Sequence, residues 1–275
     1  MMSPLISFFI GVVTTLFLLS LPKMVEIISE LLKSKINKYF ESKKIVEQNL
    51  DPILKSLDEL AAKLYSIIID DFKYFSSNKS ISELEIPADA TTINTLYLFA
   101  QFWCRLEIFR KESLFVNMSK DKRGKKIIDF IYCIESNRIQ ILRRSVQRAI
   151  GETLIVRHEN RYECMDYKKF AELLISKEEI EKWLDPLHSI LCKSFVNTQH
   201  RQKIVKYFMI LHAMIDTLDY KHESTRNRKS LFNKLNVKSK RDLKYRVFKK
   251  YLSFIPNPKF YYSGIKSERH PPFKF

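Results

Sequence analysis

The chain has 275 residues, 48 Lys and Arg against 31 Asp and Glu, a formal net charge of +17, and 45% hydrophobic residues. That apolar content excludes wholesale disorder. The 4 glycines, Gly11, Gly124, Gly151 and Gly264, form neither GxGxxG nor GxxxxGK[ST], which excludes the standard Gly-rich phosphate loops.

Residues 4–21, PLISFFIGVVTTLFLLSL, carry no charge. About 20 apolar residues cross a hydrocarbon core, so the segment predicts a transmembrane anchor. A cleaved signal peptide is the rival reading, but MMSPL has no basic residue and no A-x-A-like site follows. A buried core helix is the third. Lys23, Lys33, Lys35, Lys38, Lys43 and Lys44 all follow the apolar run. The positive-inside bias therefore predicts a single-pass cell-membrane protein with its N-terminus outside and its C-terminal domain in the cytoplasm. Cys104, Cys133, Cys164 and Cys192 form no CxxC pair. They read as reduced and buried, in keeping with that compartment.

Residues 22–48 repeat apolar side chains at steps of three and four, and predict a juxtamembrane helix. Asp51-Pro52 reads as an N-cap followed by proline at the first helical position. It opens the predicted helical bundle domain, residues 50–219. Helical stripes run from Ile53 to Phe72 and from Ile93 to Phe109. Further stripes cover Ile127–Ile134 and Ile139–Ile155, one broken helix or two. Asp166 and Ser176 open two short helices, Ser176 through a capping box with Glu179. A long helix spans Asn197–Asp219. No strand run carries turn chemistry on both sides, so the predicted class is all-α: a transmembrane helix, a cytoplasmic bundle and a basic amphipathic C-terminal extension.

That extension is residues 220–275. It holds 16 Lys and Arg against Glu223, Asp242 and Glu268, a net +13, which leaves +4 for residues 1–219. Leu243, Val247, Phe248, Tyr251 and Leu252 fall on one helical side. Lys240, Arg241, Lys244, Arg246, Lys249 and Lys250 cover the rest. A basic amphipathic helix reads as a membrane-surface element, so the expected partner is the anionic inner leaflet. The alternative is nucleic acid, with Phe260, Tyr261 and Tyr262 as stacking platforms. A merely solvated tail is the third reading. The segment after Phe254 reads as irregular.

Within the bundle, Glu107 and Arg110 share one helix and Arg148 and Glu152 another, the latter pair on one face. Gly151 between them lets a second helix approach closely. Pairing Glu107 with Arg148 and Arg110 with Glu152 would make a binding pocket, or would only fix how two helices dock. An enzyme using Glu107, Arg148 and Glu152 is a weaker reading. His188 with Cys192 and His212 with Asp216 each offer two ligands, short of a zinc site. No nucleophile has an evident base, and no cofactor is implied. The reading leans away from an enzyme, toward a scaffold whose helical domain binds a protein partner.

Three stretches also resemble a family of uncharacterised bacterial and fungal proteins. They are DPILKSLDELAAKLYSII from Asp51, LYLFAQFWCRLEIFRKESLF from Leu96 and SVQRAIGETLI from Ser145. The family patterns are DPLLxAAxDLQSRLYNI, LYLFxxFLGWxEIxRRExQFL and EQRAIGE. Gln147 to Glu152 matches as a run, whereas Ala62 and Lys63 stand where the family has Ser and Arg. The resemblance covers residues 50–219 and implies a helical domain, often behind an N-terminal apolar segment. It implies no activity.

Overall fold

The computed structural model describes the backbone of residues 4–76, 79–159, 161–176 and 180–265, and the side chains among these from residue 23 onward. The order is α1 (Pro4–Ile69), α2 (Ala90–Glu112), α3 (Lys122–Ile134), α4 (Arg144–Thr153), strands β1 (Ile155–His158) and β2 (Arg161–Cys164), α5 (Tyr167–Ile175), α6 (Ile180–Ser194), α7 (Thr198–Leu218), α8 (Val237–Asp242) and α9 (Lys259–Ser263). A π-helical turn, Leu243–Phe248, continues α8.

The helical class stands, with one correction. β1 and β2 form an antiparallel hairpin in which Ile155 pairs with Cys164 and His158 with Arg161. Each strand is four residues long, too short for alternation to declare itself, and β-branched Ile155 and Val156 read equally well as the end of a helix.

Asp51-Pro52 is not a helix start, because α1 runs through it. Proline inside a helix removes one backbone donor. The carbonyl left without its partner belongs to Gln48, which is exposed, so solvent can serve it. Asp166 does cap α5, its Oδ1 accepting from the Lys169 N–H at 2.9 Å. Ser176 instead closes α5 and donates to the Leu173 carbonyl at 2.9 Å. Its predicted capping partner Glu179 lies outside the described residues.

α2 and α7 are buried around most of their circumference, as helices apolar on every side must be. α1 packs on both, α4 lies across α2, and α3 and α6 flank α7. Trp103 Nε1 donates to the Tyr207 hydroxyl at 2.9 Å, joining α2 to α7 in the core. This bond satisfies two polar groups that would otherwise be costly to bury.

Before its first buried residue, Ser42, α1 projects from the bundle as a stalk. Its apolar side chains Met24, Ile27, Ile28, Leu31, Leu32, Ile36 and Phe40 are all exposed. The loop after α2 lies at the same end, since Asn49 Nδ2 donates to Glu112 Oε2 at 2.6 Å. It leaves Leu114 70% and Phe115 95% exposed. Among the described residues no helix is long and apolar enough to cross a membrane. The predicted anchor, residues 4–21, falls where side chains lie outside the described residues.

The C-terminal segment departs most from expectation. As far as Ile265 it belongs to the fold. Leu231, Leu235, Leu243, Val247, Phe248, Leu252, Ile255 and Tyr261 are buried. Polar ties hold it too: Arg228 binds the Asp58 carboxylate, Lys234 Nζ lies 2.9 Å from Asp71, and the Tyr261 hydroxyl donates to Asp216 at 2.7 Å. Of the three aromatic side chains expected as stacking platforms, Tyr261 is buried and Phe260 and Tyr262 are partly buried. Tyr261 stacks on Phe248, Phe260 meets His212 edge to face, and Tyr262 tilts against Phe248. Their rings complete the apolar face that the bundle offers, and α9 replaces the expected irregular chain.

Asp219 turns the chain at the start of this segment. Its carboxylate accepts the backbone N–H groups of Glu223, Ser224 and Thr225 and the Thr225 hydroxyl, each at 2.9 Å. Burial pushes its pKa up, but these donors outweigh burial and hold it below the ordinary 3.8. A depressed carboxylate pKa stabilises the fold above the unfolded value, and the contribution disappears as pH falls through the folded value. Asp219→Asn should therefore flatten the loss of stability below about pH 4, read as urea midpoints against pH. Parallel curves for the two proteins would refute this assignment.

Candidate functional site

The predicted polar cluster assembles around a residue that sequence reasoning missed. Glu135, just after α3, binds both arginines: Arg148 through Nε at 3.1 Å and Nη2 at 3.0 Å, and Arg110 through Nη2. Arg110 also binds Glu107, and Arg148 Nε lies 4.0 Å from Glu107 Oε1. Glu107 and Arg148 are thus together as expected. The expected Arg110–Glu152 pair is absent: Glu152 is 54% exposed in its side chain and lies 3.4 Å from Lys111. Burial pushes the Glu107 carboxyl above its usual range, against the pull of Arg110 and Arg148. The hydrogen bond to Glu135 favours the charged form of Arg148.

This cluster leaves no room for a ligand. The hollow between Trp103, Glu107, Glu135, Gln147 and Arg148 measures about 10 Å³, the space of one water. Its two arginines and two carboxylates instead fasten α2, α4 and the end of α3 to one another. Glu135 escaped notice because it lies outside both helical motifs and only the fold brings it between the arginines.

A larger site lies where the C-terminal segment meets α7. A cleft of about 500 Å³ runs between the loop after α3, the first half of α7, and α8 with its π turn. Arg138, Lys203, Lys206, Lys238 and Arg246 line it, with His200, against one carboxylate, Asp242. Asp242 is shared: Lys206 Nζ lies 3.6 Å from its Oδ2 and Arg246 Nη1 3.2 Å from its Oδ1. Lys206 also donates to the Arg138 carbonyl at 3.1 Å. Burial and then the neighbouring Lys206 push the Lys203 ammonium below its usual pKa. Burial likewise lowers Lys206, against the pull of Asp242. An adjoining hollow of about 800 Å³ shares Asn137 and Arg138 and adds Arg143, Arg144 and Lys250 to the basic lining.

Of the six cations expected on the extension, Arg246 lines the cleft and Lys250 the adjoining hollow. Arg241, Lys244 and Lys249 are exposed elsewhere, and half-buried Lys240 sits 5.6 Å over the Phe232 ring. Sequence reasoning put these cations on the outer face of a helix. It missed Arg138, Lys203, Lys206 and Lys238, which belong to other stripes and converge only through the docking of α8 on α7. The excess of Lys over acid at Lys203 and Lys206, on a helix otherwise read as core, was the one available signal.

His212 and His222 each place Nε2 3.6 Å from Asp216 Oδ1. Burial lowers the pKa of His212, so it sits there as a neutral ring against Phe260 and Tyr261. His188 lies 3.5 Å from Cys192 Sγ. Among the described residues no group of three or more His, Cys, Asp or Glu is placed to hold a metal ion. All four cysteines are free, Cys104 and Cys133 buried and Cys164 and Cys192 partly so.

No protein-family model, no curated protein and no solved structure matches the chain. The resemblance carried by the stretches at Asp51, Leu96 and Ser145 therefore rests on those motifs alone.

Proposed function

We propose that this is a membrane-tethered helical binding protein. Residues 4–21 form the anchor, the N-terminus lies outside and the bundle lies in the cytoplasm, where it serves as a scaffold for a protein partner. Its basic C-terminal segment contacts anionic lipid of the inner leaflet. One observation carries the lipid reading. Leu243, Val247, Phe248 and Leu252 are buried against the bundle, so Arg241, Lys244 and Lys249 point outward from an ordered support. Contact with lipid is then electrostatic at the headgroups, with no inserted apolar face from this segment. Each cation near an anionic leaflet contributes about 1 kcal/mol.

The stalk supports the same reading. An amphipathic helix with its apolar side unpaired settles in the membrane interface. Residues 23–41 span about 28 Å at 1.5 Å per residue. Because α1 continues from the anchor into the stalk, this placement requires a bend at Pro22, where proline interrupts the helical hydrogen bonds. A stalk so laid in the interface would bring the bundle alongside the bilayer, and Leu114 and Phe115 emerge at that end. The alternative, a tethered nucleic-acid binder, keeps the same cations but has its aromatic side chains packed within the fold, Tyr261 buried and Phe260 and Tyr262 partly so.

Hydrogen exchange on the full chain in lipid nanodiscs tests this. With phosphatidylserine added to phosphatidylcholine, residues 238–250 should exchange more slowly, and added salt should abolish the difference. Equal exchange in both lipids would reject the lipid contact. Slowing caused by a single-stranded oligonucleotide in neutral discs would favour the alternative.

A further inference from the structure

The cleft between α7 and α8 differs from the outward cations in being concave, partly buried and built from three parts of the chain. Lys203 sits in it with no carboxylate at pairing distance among the described residues, while the one acid, Asp242, already serves Lys206 and Arg246. Arg138, Lys203, Lys206, Lys238 and Arg246 make five cations against one anion. Gathering like charges on a half-buried wall costs stability unless something compensates them. Asparagine and glutamine side chains, Asn137, Gln199 and Asn236, supply neutral donors around the same opening.

We propose that this cleft is a binding site for a compact group bearing several phosphates. A phosphate dianion takes up several N–H donors at once and compensates two or more cations, as neither a carboxylate nor a neutral ligand would. The volume of about 500 Å³ lies within the roughly 300–1,000 Å³ of small-ligand sites. Duplex nucleic acid is a poorer match, because the cations face into a hollow instead of running along a ridge.

Such a group is either the headgroup of a polyphosphorylated lipid or a free phosphorylated metabolite. Position does not decide between them. Arg201 lies 5.7 Å over the Phe72 ring, which puts the start of α7 at the end of α1 farthest from the stalk. The proposal rests on the preceding functional reading only in using the same C-terminal segment.

The test uses the full chain in phosphatidylcholine nanodiscs. Inositol hexakisphosphate, titrated by calorimetry, is the soluble arm, and discs containing phosphatidylinositol bisphosphate are the lipid arm. One-to-one binding of the soluble probe should weaken at least about tenfold in Lys203→Gln/Lys206→Gln, a loss of about 1.4 kcal/mol. Arg138→Gln/Lys238→Gln changes only exposed residues of the same cleft and should weaken binding likewise, which keeps the test valid should the first pair disturb folding. Lys244→Gln/Lys249→Gln, outside the cleft, should leave the soluble arm unchanged. Cleft-dependent protection of Lys203 and Lys238 only in the lipid arm would identify a headgroup. No binding in either arm, or binding that all three pairs weaken equally, would overturn the proposal. Loss of phosphatidylserine sensitivity with hexakisphosphate binding intact would overturn the leaflet reading and leave this one standing.

Discussion

Glu135→Ala lowers the unfolding free energy by about 3 kcal/mol, at the lower end of the 3–5 kcal/mol that breaking a buried ion pair costs. The lower end applies because the Arg148 side chain is 38% exposed and can turn to water, whereas Arg110 is 18% exposed and cannot do so freely. At about 2–4 °C per kcal/mol for a chain of this size, the melting temperature falls by about 6–12 °C. Removing the carboxylate leaves Glu107 facing two guanidinium groups alone and unties the end of α3 from α2 and α4. Glu152→Ala is the control. It removes one exposed partner of Lys111, and exposed pairs contribute at most about 1 kcal/mol. Equal melting temperatures for the two variants would show that Glu135 does not clamp these helices.

The comparison between Glu135 and Glu152 also shows what was legible in the sequence. Glu107, Arg110, Arg148 and Glu152 were visible because spacing on a helix fixes which side chains share a face. Spacing within a helix does not say which residue of another element comes opposite. Glu135, in the turn after α3, has no periodic neighbours to mark it, and it took the place expected for Glu152. The helices themselves were readable wherever the apolar stripe was long, as for Ile53–Phe72 and Asn197–Asp219. The hairpin at 155–164 was not, because four-residue strands carry too few alternations to compete with a helical pattern.

The packing of the extension is hidden in the sequence for a related reason. Its charge, +13 in residues 220–275, dominates any view of composition, and a net charge speaks to solubility and partners, not to fold. Leu231, Leu243, Val247, Phe248, Leu252 and Tyr261 are spread among the cations, yet they suffice to bury the segment against α7. The cations then fall into two sets, those left on the outer face and those turned into the cleft with Lys203 and Lys206.

Gly151→Ala should destabilise the protein, although glycine to alanine inside a helix ordinarily stabilises by about 1 kcal/mol. The sign reverses because α4 crosses α2 at this residue. A Cβ on Gly151 would stand 2.8 Å from both the carbonyl carbon and the oxygen of Trp103 and 3.1 Å from the Cys104 nitrogen. These are backbone atoms of a fully packed helix, so no side chain can turn aside to make room. α2 and α4 must separate, and overpacking of this kind costs about 1–3 kcal/mol. Set against the propensity gain of about 1 kcal/mol, this leaves a net loss of up to about 2 kcal/mol, seen as a lower urea midpoint with an unchanged slope. Gly151→Leu should not give folded protein. A Gly151→Ala variant as stable as the parent would mean that the helices cross less closely. The same contact accounts for the run Gln147–Glu152 without invoking a reaction: Gln147 and Ile150 are buried, Arg148 binds Glu135, and Gly151 admits the backbone of α2. Leu96–Phe115 and Ser145–Ile155, two of the stretches that carry the family resemblance, are the two surfaces of this one helix crossing. The residues of the run Gln147–Glu152 are thus engaged in assembling the bundle, and none of them lines the cleft between α7 and α8.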